Sequence, residues 1–321
     1  MKKPLIAVAD SVFPSLDPAM KIFSKLNATV TLAENSTPEA ILEVARDADA
    51  LMVTFAQINS EVIGSLKNCR AIGRFGIGVD NIDIDAASKA GIQVCYVPDY
   101  CLDEVSDHAI ALLMSLARKV TYSNALVQAG RWEGKAVAPL WRLRGRTLGL
   151  VGLGKIPQTL APKAVALGLN IVAYDPYVSP EVATALNIEL VSFDELLKRS
   201  DYISLHAPLT EETKDLFDAT AFAKTKPETF LVNTARGPLI NEQALADALD
   251  AGQLAGAALD VMPNEPPAAD CPLLHRDNVI LTPHTAYYSE DALLDLQTKA
   301  AKDVASVLSG EAPIYPFNQL T

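Results

Sequence analysis

Short apolar runs alternate with amphipathic stretches along the whole of this 321-residue chain. Residues 4–10 read as a buried strand ending in a carboxylate, Asp10, and residues 28–32 as a second strand. Thr37 then supplies an N-cap and Pro38 the first position of a helix whose apolar face is Ile41, Val44 and Ala45. Residues 51–53, 71–73 and 93–97 complete a first series of strands. Continuous apolar runs between amphipathic helices predict parallel strands covered on both faces. Near residue 102 the pattern changes to one long amphipathic helix, residues 103–127, with Val105, Ile110, Leu112, Leu113, Leu116 and Val120 at helical spacings. A second series of six strands follows, at 147–151, 170–174, 202–205, 229–233, 257–261 and 279–282. Ser192 opens one of the intervening helices as a capping box with Glu195. Ser289 caps a last helix that runs to about Leu308 and stops at Gly310. The expected architecture is α/β, with two doubly wound parallel-sheet domains and the active site in the cleft between them.

Length and composition agree with that reading and narrow the function. The chain is about twice the usual domain size, with 50% hydrophobic and 21% charged residues. A net charge of −12 and the absence of any dense Lys/Arg run argue against nucleic acid and anionic membrane surfaces as partners. No apolar run approaches the length of a transmembrane helix. Cys69, Cys95, Cys101 and Cys271 lack CxxC spacing, so they read as reduced thiols in a cytoplasmic protein, with no metal site and no disulfide framework.

The strongest chemical signal is Val151-Gly152-Leu153-Gly154-Lys155-Ile156-Pro157, where a buried strand runs into Gly-x-Gly and a helix follows. Gly152 permits the tight turn, and Gly154 lets backbone amides approach a pyrophosphate at the helix N-terminus. Pro157 replaces the third glycine of the fingerprint, tolerably in a first turn, while Pro162 should bend the helix. Glycine turns also occur by chance, so context decides. Asp175 ends the next strand 21 residues after Gly154, where a carboxylate accepts ribose hydroxyls and repels a 2′-phosphate. No arginine stands beside it, which favours NAD over NADP, although Asp175-Pro176 could simply open a turn.

Five ordered motifs make the chain resemble the D-isomer-specific 2-hydroxyacid dehydrogenases. They are residues 73–83 (Gly-Arg-Phe-Gly-Ile-Gly-Val-Asp-Asn-Ile-Asp), the glycine turn, His206-Ala207-Pro208-Leu209-Thr210, Asn233-Thr234-Ala235-Arg236-Gly237 and Thr282-Pro283-His284-Thr285-Ala286. Within that family, Val97-Pro98-Asp99-Tyr100-Cys101 and the tyrosines after Ala286 look closest to the C-terminal-binding-protein-like branch. The resemblance implies a Rossmann cofactor domain (102–289) inserted in a flavodoxin-like substrate domain (1–101 and 290–321). It also implies NAD as cofactor, a small 2-hydroxy or 2-keto acid as substrate, and a homodimer. Cofactor contacts would come from Ile77, Gly152, Gly154, Lys155, Ile156, Asp175, His206, Ala207, Pro208, Thr213, Thr234, Ala235, Arg236, Asp260, His284 and Ala286. Asp260 would fix the nicotinamide carboxamide. The backbone amides around Ile77 and Gly78 would take one substrate carboxylate oxygen, and Tyr287 would line the substrate pocket.

Interconverting a hydroxy and a keto acid moves a hydride and a proton, and the proton calls for a group titrating near neutrality, usually histidine. His108 lies in an apolar helix and reads as a core or subunit-contact histidine, and His275 reads as a surface residue. His284 closes a strand at the carboxyl edge of the second series, where α/β proteins place functional groups. The resemblance pairs it with Glu265, which alone would be one more loop carboxylate. Arg236, otherwise a candidate for a local salt bridge, would grip the substrate carboxylate with its planar fork. Arg74 is either a further cation at the site or a domain-interface salt bridge. The expected activity is therefore an NAD-dependent D-2-hydroxyacid dehydrogenase, with a nonenzymatic NAD(H)-sensing corepressor-like protein and a phosphoglycerate dehydrogenase as alternatives. Thr54-Phe55 stands where phosphoglycerate enzymes of the family carry an arginine, which weakens the phosphorylated substrate. The sequence ends at Thr321, so no appended regulatory domain is expected. Trp132 and Trp141 follow the long helix closely, and one of them is expected to be buried between subunits.

Overall fold

Five of the apolar runs pair side by side in the computed structural model, which describes residues 3–320. These strands are Leu5–Val8 (β1), Thr29–Leu32 (β2), Ala50–Val53 (β3), Ala71–Arg74 (β4) and Gln93–Cys95 (β5). They form a parallel sheet in the order β2-β1-β3-β4-β5, connected by α1 (Asp17–Phe23), α2 (Pro38–Ala45), α3 (Ser60–Ser65) and α4 (Ile84–Lys89). β3 and β4 are buried along their whole length, as strands without polar alternation must be. Thr37 caps α2 by accepting the Ala40 amide, and Ile41 and Ala45 enter the core. The strand order reverses between β1 and β3. There the Asp10 carboxylate accepts the amides of Thr54, Phe55 and Ala56 at 2.7, 2.6 and 3.2 Å, fixing the loop that leaves β3.

The second unit, Cys101–Tyr288, holds a seven-stranded parallel sheet. Its strands are Thr147–Val151 (β6), Asn170–Tyr174 (β7), Glu189–Leu190 (β8), Tyr202–Leu205 (β9), Phe230–Asn233 (β10), Gly256–Leu259 (β11) and Val279–Leu281 (β12), ordered β12-β11-β10-β9-β6-β7-β8. Its helices are α5 (Leu102–Arg118), α6 (Val120–Gln128), α7 (Lys155–Ala166), α8 (Pro180–Ala185), α9 (Phe193–Arg199), α10 (Ala219–Phe222) and α11 (Glu242–Asp250). Alternate strand residues point to opposite faces. Leu148, Leu150, Ile171, Ala173, Val232 and Ala258 pack with α5 and α7, whereas Val151, Val172, Ile203, Leu231 and Ala257 pack with α9, α10 and α11. Six of the strands coincide with the apolar runs, and β8 adds an edge strand of two residues, too short for any pattern to announce.

One expectation is corrected. The long helix at 103–127 is two helices, because Lys119 adopts a left-handed conformation (φ 50°) between α5 and α6 and its amide turns back to Leu116 and Ser115. That conformation is usually left to glycine, so no residue type marked the break. Pro162 does not divide α7.

After the second unit the chain returns to the first with α12 (Glu290–Ser309), capped by Ser289, whose side chain accepts the Ala292 amide, and closed by Gly310 at φ 82°. Asp303 of α12, buried, accepts the amides of Ile314 and Tyr315 at 2.9 Å each. The segment after it lies antiparallel against β5, with Phe317 N donating to Val94 O at 2.8 Å. The Asn318 side chain accepts the Val94 amide and donates to Ile92 O, so the edge of the first sheet is covered rather than left open.

Candidate active site

The second unit gathers Arg236, Glu265 and His284 through three loops at the carboxyl ends of β10, β11 and β12. Asn233, the last residue of β10, is buried. Its Oδ1 accepts the Ala235 amide at 2.9 Å and its Nδ2 donates to Arg236 O at 2.8 Å, pinning the turn that presents Arg236. Gly237 follows because nothing larger fits: a Cβ there would lie 2.0 Å from the Met262 carbonyl carbon. The turn bearing Arg236 thus touches the backbone of the loop bearing Glu265. In that loop the Met262 amide donates to Glu265 Oε1 at 3.0 Å.

Glu265 Oε2 lies 2.7 Å from His284 Nδ1. Burial alone would raise the Glu265 carboxyl. The hydrogen bonds from the His284 ring and the Met262 amide, with the charge of Arg236, bring it below the usual carboxylate range instead. An ionised Glu265 can only accept, so Nδ1 carries the hydrogen. His284 sits at φ 53°, a left-handed conformation rare for a side chain of this size. Its amide is held by Asp260 O at 2.8 Å and Thr282 O at 3.0 Å. Tyr287 meets the His284 ring edge to face, with centroids 6.1 Å apart.

The residues expected to hold a dinucleotide line the carboxyl edge of the same sheet, about β6, where the strand order reverses between β6 and β9. Gly152 (φ 92°) closes the turn, and a Cβ there would meet the His206–Ala207 backbone at 2.9 Å. Gly154 caps α7, with Lys155 and Ile156 as its first helical residues, and the position of its missing Cβ is open space. That leaves a helix N-terminus free to be approached by a pyrophosphate. Asp175 faces this turn: Oδ2 accepts the Leu153 amide at 2.8 Å, and Oδ1 accepts the amides of Tyr177 and Val178. One acceptor position at Oδ2 remains for a ribose hydroxyl.

His206 bonds Ser204 Oγ through Nε2 at 2.9 Å, and burial pushes its pKa down to about 3. Pro208 is exposed, and Ala207 is buried beside the glycine turn. Thr213 braces the loop after β9, its hydroxyl donating to Pro208 O at 2.6 Å. Thr234 Oγ1 is buried with no hydrogen-bond partner, as expected of a group waiting for one. Ala286 is buried over Asp260, to which its amide donates. The open helix terminus and the orphaned Thr234 hydroxyl fit an NAD-sized dinucleotide.

In the first unit, Arg74 ends β4 and is buried. Its guanidinium donates to Phe75 O and lies 5.7 Å from the Phe55 ring centroid. Ile77 and Gly78, half-buried, occupy the loop that follows. Asp10 and Asn233 were not singled out by the sequence as site residues, although a strand-ending carboxylate and the motif before Arg236 both marked their positions.

Comparison with known proteins agrees with this geometry. The family model described as D-isomer specific 2-hydroxyacid dehydrogenase, NAD binding domain, matches residues 110–286. A D-3-phosphoglycerate dehydrogenase of Archaeoglobus fulgidus is 42% identical over 275 residues, 86% of this chain and 52% of that protein. One from Methanocaldococcus jannaschii is 40% identical over 300 residues, 93% of this chain and 57% of that protein. The chain therefore spans about half the length of the curated relatives it matches. Among solved structures, D-lactate dehydrogenase from Aquifex aeolicus, complexed with NAD and lactic acid, superposes with a TM-score of 0.87 at 26% identity, covering 96% of each chain.

Proposed function

The chain belongs to the D-isomer specific 2-hydroxyacid dehydrogenase family, and from that premise we propose that it interconverts a D-2-hydroxy acid and its 2-keto acid with NAD as cofactor. The observation that carries the proposal is the 2.7 Å pair of His284 Nδ1 and Glu265 Oε2, with the turn that bears Arg236 packed against the Met262–Pro263 backbone of the Glu265 loop. The glycine turn and the N-terminus of α7 would hold the dinucleotide, which would supply or accept the hydride at carbon 2. The side chains do the rest. In the reductive direction His284 Nε2 delivers a proton to the keto oxygen, and the Glu265 carboxylate stabilises the charged ring that donates it. Arg236 binds the substrate carboxylate in a bidentate pair and draws electron density from the neighbouring carbonyl. Arg74, Ile77, Gly78 and Tyr287 are assigned to the substrate. Lys155, Ile156, Asp175, His206 to Pro208, Thr213, Thr234, Ala235, Asp260 and Ala286 are assigned to the cofactor.

The test is a screen of 2-keto acids, including 3-phosphohydroxypyruvate, followed by NADH absorbance. Oxidation of NADH with at least one unphosphorylated 2-keto acid is expected, because Thr54 and Phe55 add no cation where the first sheet ends. No oxidation with any member would sink the enzymatic reading, and turnover of the phosphorylated acid alone would narrow it to phosphoglycerate chemistry. We further propose a homodimer, supported by Trp132, an indole 89% exposed on a loop outside the strand–helix alternation. A cytoplasmic location is proposed from four cysteines, none of which forms a disulfide.

A further inference from the structure

His108, on α5, reaches the loop that carries the catalytic histidine. Its Nε2 lies 3.0 Å from Thr282 Oγ1 and 3.5 Å from Asp260 Oδ1. Thr282 Oγ1 in turn lies 2.5 Å from Asp260 Oδ1. Asp260 is buried, with its side chain 1% exposed, and both its oxygens are in use: Oδ1 accepts the Thr285 amide at 2.9 Å and Oδ2 the Ala286 amide at 2.8 Å. A hydroxyl has one hydrogen to give, and an ionised carboxylate only accepts. The Thr282 hydrogen therefore goes to Asp260, the Thr282 oxygen is left to accept, and His108 Nε2 must donate. The direction of every bond in the chain follows from that count.

The same carboxylate organises the backbone on both sides of His284. Thr282 bonds it through its side chain, Thr285 and Ala286 through their amides, and the His284 amide bonds the Asp260 carbonyl. His284 stays at φ 53° because these contacts hold it there. Such a conformation is costly and persists only where its surroundings fix it.

We propose that His108 is a positioning residue for the proton donor: as an Nε2–H tautomer it locks Thr282 and Asp260, and through them the aim of His284. The inference rests on the dehydrogenase reading only for what His284 does to the substrate. The pairing itself is a matter of tautomer and hydrogen bonding.

Two measurements on the purified full chain test it. In protein labelled with ¹⁵N-histidine, the His108 ring, identified by its loss in His108→Leu, should carry its hydrogen on Nε2 near neutral pH, and Thr282→Val should shift that signal. A hydrogen on Nδ1 alone, or no response to Thr282→Val, overturns the proposal even if no 2-keto acid proves to be a substrate. In turnover, His108→Leu should lower kcat about ten- to hundredfold, the range for a misaimed catalytic group. NADH binding, read by fluorescence, should weaken less than kcat falls, because the glycine turn and Asp175 are untouched. His108→Gln, whose amide nitrogen can donate from about the same place, should recover most of the rate. An unchanged kcat in His108→Leu, or a glutamine variant as slow as the leucine one, removes His108 from the mechanism; thermal melts of both variants separate a misaimed ring from an unfolded chain.

Discussion

Among the four histidines, burial and partners separate the roles. His206, with its pKa pushed down to about 3, remains neutral at any pH where the protein would be assayed and cannot serve as the proton donor. His284 has a carboxylate on Nδ1. His284→Ala should therefore lower kcat about 10²–10⁴-fold with the melting temperature little changed, and near-normal turnover would remove it from the mechanism. For Glu265 the sign follows from its lowered pKa. The stability it lends is present above the ordinary carboxyl value of about 4.3 and is lost as the pH falls through its lower folded value. Across the neutral range it is an anion beside the His284 ring. In Glu265→Gln a neutral amide no longer favours the protonated ring, so the alkaline limit of keto-acid reduction should move to lower pH; an unmoved profile would exclude Glu265 from the proton step. Glu265 was singled out only by the family resemblance, and the structure brings it to 2.7 Å from His284. The part played by His108 was not recognisable, since its partners lie more than 150 positions away at 260 and 282, and no spacing along the chain reports such a meeting.

The elements themselves were legible wherever burial imposes a pattern. Every strand of three or more residues falls on a segment read as a strand, although β2 is mostly exposed, and Thr37, Ser192 and Ser289 cap the helices they were expected to cap. What escaped was set by backbone conformation without a residue type to mark it. Lys119 is the clearest instance, and it carries a prediction. Lys119→Gly relieves a left-handed strain of about 1–2 kcal/mol, offset in part by glycine's larger entropy loss. The melting temperature should rise by about 2 °C; a fall would mean that the lysine side chain holds α5 and α6 together. Gly237 is the opposite case, a glycine that must stay. Gly237→Ala drives a methyl into the Met262 backbone, and overpacking of that kind costs about 1–3 kcal/mol. Both the melting temperature and kcat should drop, because the collision lies between the Arg236 and Glu265 loops; full activity would show that the two loops tolerate separation.

For the whole molecule, the aromatic residues outside the two sheets are the most informative. Trp141 rests against Arg146, with the guanidinium 5.3 Å from its ring, whereas Trp132 lies open. Large aromatic side chains are enriched where protein surfaces meet. Light scattering at micromolar concentration should give twice the 34.3 kDa of one chain, and Trp132→Ala should shift that mass toward the monomer. A mass of one chain in the unmodified protein would refute the dimer. The interleaved order of the two units has a different consequence, one that concerns time. The first sheet is synthesised early, but α12 and the strand-like segment that covers β5 belong to residues after Ser289. Gly73 of β4 waits for Val304, whose methyl would lie 2.6 Å from any Cβ placed there. On the ribosome the inserted unit is complete in sequence while the earlier one still lacks its closing helix, so the unit begun before the insertion is finished after it.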